Sequence, residues 1–377
     1  MRRSPAVLAV VCSCAAATSV VHATGTTHRS AGSWRGDYET GNFAQWTEVQ
    51  ASRNNPNYPA SAVGDTKAEI VRAPVRQGRY AARFITYASR SAPNGDRAEV
   101  YTTVGRTGGL EGRQRYYAWS TMFPGAGNPR GFWPRAGDFN VFTQWHNEVN
   151  GCGNNLQLGI AATGRSNRLY SDLSIHDPGD CDHQTGTVHS ILGKLRFDAW
   201  YDFIVHVEWS SRRNVGSYEI WMNGRQVVHR KLGATLWNSD GAYWKQGFYR
   251  AAFDADNTVY QDGAVVGKSL RAVTRNFRLR FTRTPRLLPS GALSIDARSF
   301  SQVPVELIVR DSRGVVGRAR GRTDSSGHLH DEVTLKRLPV GLGLRAILLA
   351  RVSARLPLAT RRAVLGFALP GRPVPLP

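Results

Sequence analysis

Acidic residues are scarce in this 377-residue chain: 28 Asp and Glu stand against 49 Lys and Arg, a formal net charge of +21. An excess of that size favours an anionic partner, whether polysaccharide, nucleic acid or membrane surface. Cysteine is scarce as well, with four residues. Long helical periods are missing, which excludes a coiled coil, and the otherwise ordinary globular composition excludes collagen-like and wholly disordered chains. Beyond the first two dozen residues no apolar run is long enough to cross a bilayer. Tryptophan stops at Trp244, and the tail from Arg271 onward has neither Trp nor Tyr. A basic segment without Trp or Tyr lacks an aromatic-basic nucleic-acid reading motif, so no nucleic-acid partner is expected.

What is present begins with a leader. Arg2 and Arg3 precede an apolar run from Ala6 to Val21 that ends in Val21-His22-Ala23, the pattern of a secretory signal peptide over residues 1–23. The run is short for a membrane span of ~20 residues and is diluted by Ser13, Thr18 and Ser19. A secreted, extracellular protein is expected. Cys12 and Cys14 leave with the leader, and Cys152 and Cys181 should pair in an oxidising compartment. Closing that loop is worth roughly 3–4 kcal/mol in the chain-entropy model.

Charge then divides the chain. From Arg271 to the end there are 20 Lys and Arg against 6 Asp and Glu. Composition shifts at the same place, so a boundary falls near residues 268–276, with a linker at 24–34, a first domain over 35–268 and a basic second domain over 276–370. Segments such as Phe139–Asn147, Trp200–Trp209 and Tyr218–Val228 are rich in aromatic and β-branched residues, alternate in polarity and are bounded by Gly, Pro, Asn and Asp. The predicted fold is all-β: a jelly-roll β-sandwich followed by a small Ig-like β-sandwich. Asn223-Gly224 suits a type I′ hairpin turn.

Three strand segments carry the chemistry. Side chains two apart share a strand face, so Gln144 projects with His146 and Arg97 with Glu99, while Tyr243, Lys245, Gly247 and Tyr249 form a third set. Gly247 is read as room for a ligand. Together they outline one polar, cationic sheet face. A surface ion pair or a solvated strand histidine would explain any one segment; their joint appearance is what points to a site.

Arg97-Ala98-Glu99, Gln144-Trp145-His146 and Tyr243-Trp244-Lys245-Gln246-Gly247-Phe248-Tyr249 resemble the three motif strands of jelly-roll (concanavalin-like) polysaccharide lyases. Tyr116-Tyr117-Ala118-Trp119-Ser120, Trp200-Tyr201-Asp202-Phe203 and Gly247-Phe248-Tyr249-Arg250 look like the heparin lyase I and glucuronan lyase branch. Arg250 departs from the alginate lyase pattern, which has Gln there. The resemblance implies cleavage of a uronic-acid-containing anionic polysaccharide, glucuronan or heparin-like, by β-elimination, with no cofactor for catalysis. In that reaction a base removes the C5 proton beside the carboxylate and the C4 oxygen leaves with a proton. Arg97 and Gln144 suit the carboxylate, where they would stabilise an enolate-like transition state. Either His146 or Tyr249 takes the proton, and Tyr249 is the natural donor to the leaving oxygen. By resemblance Tyr249, not Tyr243, matches the family's catalytic tyrosine. Lys245, Tyr243, Glu99, Arg250 and Trp145 complete the expected substrate-binding set. The resemblance also implies a structural Ca²⁺ held by Glu39 and Asp262. A monomer is expected.

Two rivals remain. A hydrolase needs two carboxylates about 5–10 Å apart, and no Glu-x-Asp-x-x-Glu spacing occurs. A non-catalytic carbohydrate-binding protein would stack sugars on Trp133, Trp145 and Trp244, but binding alone requires no His146 and Tyr249. His176-Asp177-Pro178-Gly179-Asp180-Cys181-Asp182-His183 lacks zinc spacing and reads as a polar loop.

Overall fold

Alternating polarity becomes strands almost everywhere, and the α-helices among the described residues are single turns of four residues. The computed structural model describes residues 33–369 apart from 90–93, 129–130, 132–138, 150–151, 164–165, 178, 182 and 338–342. The signal peptide, most of the linker and Trp133 lie outside the described residues.

Two antiparallel sheets form the first sandwich. One is eight-stranded, in the order Arg225–Leu232, Ser217–Met222, Trp200–Trp209, Arg113–Met122, Asn257–Gly267, Ala81–Thr86 and Thr66–Val71, with Ser33–Gly36 also paired to Asn257–Gly267. The other is seven-stranded, in the order Gln184–Lys194, Ser166–His176, Asn154–Thr163, Asn140–Asn147, Ala242–Arg250, Asp96–Tyr101 and Glu48–Gln50. Aromatic side chains fill the space between them: Trp145 stacks on Trp244 at 6.1 Å, and Trp119 meets Trp244 at 5.5 Å and Phe203 at 5.1 Å. Large rings on alternate positions of facing strands bury most apolar area per residue, which is why the tryptophans cluster in this half of the chain. At the Ser217–Met222 hairpin Asn223 and Gly224 take φ of 48° and 74°, the two positive values that a type I′ turn requires.

The residues after 279 build two four-stranded sheets. The first contains Arg280–Phe281, Arg286–Leu287, Ala292–Arg298 and His328–Thr334; the second runs Gly314–Arg322, Pro304–Asp311, Leu344–Ala350, Arg362–Phe367. Their apolar core, including Leu293, Phe300, Leu307 and Leu348, is continuous with Ala118, Ile204, Trp221 and Val265 on the outer face of the eight-stranded sheet. The central strands of that sheet are therefore buried on both faces. Arg76 crosses the junction: its guanidinium donates to Asp202 at 2.9 and 2.8 Å and to the Ser299 carbonyl at 2.7 Å. Asp202 also accepts from Ser120 Oγ and the Ser301 amide, both at 2.7 Å. With the outer face of one sheet covered, the outer face of the seven-stranded sheet is left for a site.

Candidate active site

The strands carrying the three motif segments are direct neighbours in the seven-stranded sheet, Ala242–Arg250 lying between the other two. Register aligns Lys245 with Gln144 on one side and with Tyr101 on the other; Tyr243 faces His146, and Tyr249 faces Arg97. Extended further, the same row runs from Glu48 through Tyr101, Lys245, Gln144, Gln157 and Asp172 to His189.

A buried carboxylate organises the centre. Glu99 takes Lys245 Nζ at 2.8 Å and Arg97 Nε at 3.2 Å on Oε2, while Gln144 Nε2 donates to Oε1 at 2.7 Å. Burial alone would push Glu99 up, but Lys245, Arg97 and Gln144 outweigh it and hold the carboxyl below its usual range. Lys245 is itself lowered to about 8, by burial first and by the Arg97 charge, against the pull of Glu99. Glu99 and Lys245 are sealed at 0% and 1% side-chain exposure, whereas Arg97 keeps 23%. Glu99 thus holds the cations from beneath, and Arg97 is the one that reaches the surface.

His146 sits beside this centre. Its Nδ1 lies 2.9 Å from the Asn147 carbonyl, which can only accept, so Nδ1 carries the proton and Nε2 the lone pair. Burial, reinforced by the Lys245 charge, lowers its pKa to about 4. The ring is therefore neutral at physiological pH. Two tyrosines flank the motif. Tyr243 lies 5.4 Å from the His146 ring, and burial followed by the Glu99 charge pushes its phenol up. Tyr249 lies at the other end of its strand, beyond a bulge; the Arg97 guanidinium covers its ring at 4.2 Å, and its hydroxyl donates to the Asn94 carbonyl at 2.8 Å. Cation, neutral imidazole and phenol share one sheet face, the set that proton abstraction beside a carboxylate needs.

Tyr101, Glu48 and Tyr58 were not expected there. Tyr101 donates to Glu48 Oε2 at 2.7 Å, Tyr58 does so at 2.9 Å, and the Tyr101 and Tyr243 rings meet at 5.4 Å. The signal was the same two-residue period: Arg97-x-Glu99-x-Tyr101 extends the shared face by one more residue.

Four expected substrate-binding residues are corrected: Glu99 and Lys245 are sealed against each other beneath Arg97 and so support the site without touching a sugar, and Trp145 and Arg250 belong to the interior. Trp145 is fully buried between the sheets against Trp244, Trp119 and Tyr117, because it alternates with Gln144 and His146; Trp244 is buried likewise, so neither offers a sugar platform. Arg250 is fully buried too, sharing its face with Trp244, Gln246 and Phe248. It pairs with Asp96 at 2.8 Å and donates to the Ala255, Asn257 and Tyr87 oxygens at 2.7, 2.5 and 2.8 Å, pinning the segment that follows it. Arg250→Lys should therefore cost about 1–3 kcal/mol, read by denaturant unfolding, with KM unchanged. Gly247 also serves the fold: at φ +137°, a Cβ would lie 2.2 Å from the Ala98 carbonyl oxygen, so the space goes to the neighbouring strand and not to a ligand.

Glu39 and Asp262 converge on one turn. Glu39 accepts from the amides of Arg79 at 3.0 Å and Tyr80 at 3.1 Å, and Asp262 Oδ2 from those of Arg76 at 2.7 Å and Gln77 at 3.0 Å. Asp262 Oδ1 is buried without a partner. Burial pushes this carboxyl well above its usual range, the Glu39 charge adds to that, and the two amides oppose it. An orphaned carboxylate oxygen fits a hard cation. Among the described residues no third His, Cys, Asp or Glu joins them, so backbone carbonyls would supply the other oxygens. Cys152 and Cys181 form a disulfide, Cα–Cα 5.2 Å, and no helix among the described residues is long and apolar enough to cross a membrane.

Comparison with known proteins adds the following. No protein of curated function matches the sequence. Among solved structures, the endo-β-1,4-glucuronan lyase of the fungus Trichoderma reesei aligns with TM-score 0.49 and 18% identity, over 64% of this chain and 97% of that one. An alginate lyase of Pseudomonas aeruginosa gives 0.37 and 13%, over 53% and 86%. A GH131 β-glucanase catalytic domain from Podospora anserina gives 0.35 and 14%, over 60% and 84%. None of these likenesses bears on function. Residues 38–265, more than half of the chain and all three motif strands with it, match the polysaccharide lyase family. This protein belongs to that family and is a polysaccharide lyase.

Proposed function

We propose that the protein is secreted and acts as a monomer on a uronic-acid-containing anionic polysaccharide, glucuronan or heparin-like, which it cleaves by β-elimination. The observation that carries this reading is the neutral His146, its Nε2 lone pair available beside a Glu99-held pair of cations. Arg97, with Lys245 and Gln144 behind it, holds the uronate carboxylate as charge moves onto it from C5. His146 Nε2 takes the C5 proton, the C4–O4 bond breaks, a C4–C5 double bond forms, and the Tyr249 hydroxyl gives its proton to O4. Tyr249 is preferred because it matches the family's catalytic tyrosine by resemblance, and burial followed by the Glu99 charge makes the Tyr243 phenol a weak acid. The rival reading, a surface that only binds, loses two of its three stacking platforms with Trp145 and Trp244 buried. Incubation with glucuronan, heparin, heparan sulfate, alginate and hyaluronan tests the reading. Far-ultraviolet absorbance of the new double bond should rise on one polymer in step with reducing ends. Reducing ends without absorbance would mean hydrolysis.

A structural Ca²⁺ at Asp262 and Glu39 belongs to the same proposal. A hundredfold excess of Ca²⁺ over its Kd should stabilise the fold by about 2.7 kcal/mol, read as a rise in Tm that chelator reverses and Asp262→Asn abolishes. A Tm indifferent to both would remove the ion.

A further inference from the structure

The second four-stranded sheet turns one face inward, through Val305, Leu307, Val309 and Leu348, and the other to solvent. Register assembles the outer face row by row. Arg320, Glu306, Leu349 and Arg362 lie side by side; then Arg318, Ile308, Ile347 and Val364; then Arg310 and Arg345. The result is an aliphatic strip rimmed by arginines. Glu306, the acid in these rows, is engaged by Arg318 at 3.5 Å. Arg310 and Arg345 stand directly opposite each other with no acid between them, an arrangement that destabilises a sheet until an anion neutralises it. Beside them a cleft of about 1040 Å³ is lined by Arg310, Arg313, Arg345 and Arg362, and its acid, Asp311, is held by Arg337 at 2.6 Å.

We propose that this face is a second binding site for an anionic polysaccharide chain, separate from the cleavage groove. Arg318, Arg320 and Arg322 repeat on one strand about every 7 Å, a regular cationic ladder that suits a linear polymer of regularly spaced charge. The aliphatic strip between the arginines suits the C–H faces of sugar rings. No aromatic side chain lies in these rows to stack a nucleobase. That the polymer is also the substrate rests on the function proposed above; that it is an acidic glycan rests on this face alone. Two sites on one chain raise the effective concentration of polymer at the groove.

The test uses the full chain silenced by Tyr249→Phe, with and without Arg318→Ser, Arg320→Ser and Arg345→Ser together, run by affinity electrophoresis in glucuronan, with dextran as the neutral control. The triple variant should lose retention roughly tenfold at low salt, and the parent should lose it as salt rises. With Tyr249 intact, the triple variant should keep its turnover of a short oligosaccharide and show a higher KM on polymer. Unchanged retention in glucuronan would overturn the proposal. So would loss of binding confined to phosphatidylglycerol vesicles, which would make the partner a membrane. If the unsubstituted enzyme cleaves no uronate polymer, the reading of the groove falls, while retention still decides this site.

Discussion

Replacing His146 with alanine should lower kcat on the cleaved polymer by roughly 10²–10⁴-fold, the usual contribution of a positioned general base, with KM little changed. The wild-type pH profile gives a second readout with a definite sign. His146 works as a base only when neutral, so activity should rise through pH about 4 as it loses its proton. Lys245 balances the buried Glu99 carboxylate beneath Arg97 only when charged, so activity should fall through pH about 8 as it becomes neutral. An acid limb near the ordinary histidine value would contradict the buried, cation-flanked imidazole. In the alanine variant the acid limb should vanish from whatever activity remains. Tyr249→Phe should lose activity on the same scale and Tyr243→Phe much less. Near-normal rates in both His146→Ala and Tyr249→Phe would show that the acid–base pair has been misassigned.

Asp202→Ala should be the most damaging stability change, costing about 3–5 kcal/mol in chemical denaturation, because it strands Arg76 as a buried, unpaired charge. The Arg76 guanidinium keeps only the Ser299 carbonyl, and the Ser301 amide and Ser120 hydroxyl lose their acceptor. Asp202→Asn should cost less, since one oxygen still accepts a hydrogen bond. A loss below about 1 kcal/mol would mean that water enters the junction and solvates Arg76, as it does at surface pairs.

Much of this was legible in the residues. The two-residue period placed Gln144 with His146 and Arg97 with Glu99, and the three motif strands proved to be neighbours. The same period already turned Trp145 away from His146, yet what each face would meet was set by the second sheet, which no local pattern reveals. Arg250 shows the limit well: an arginine in a motif strand reads as a substrate cation until Asp96, 154 positions earlier, is found paired with it. Tyr101 was within reach, one step along a pattern already in use. Gly247 was read by what it lacks, but backbone approach and an open groove leave the same trace in a sequence. Runs buried on consecutive residues, such as Tyr117-Ala118-Trp119, defeat alternation altogether, because each face of that sheet has its own core.

The doubly buried sheet separates the unit of homology from the unit of folding. The family match ends at residue 265, a natural place to cut an expression fragment. Such a fragment would present Ala118, Ile204, Trp221 and Val265 to water as one apolar patch and would strip Asp202 of its Ser301 amide. A patch of that kind invites self-association. The shortest well-behaved enzyme therefore extends through the Arg362–Phe367 strand, and activity lost on truncation would report aggregation before it reported chemistry.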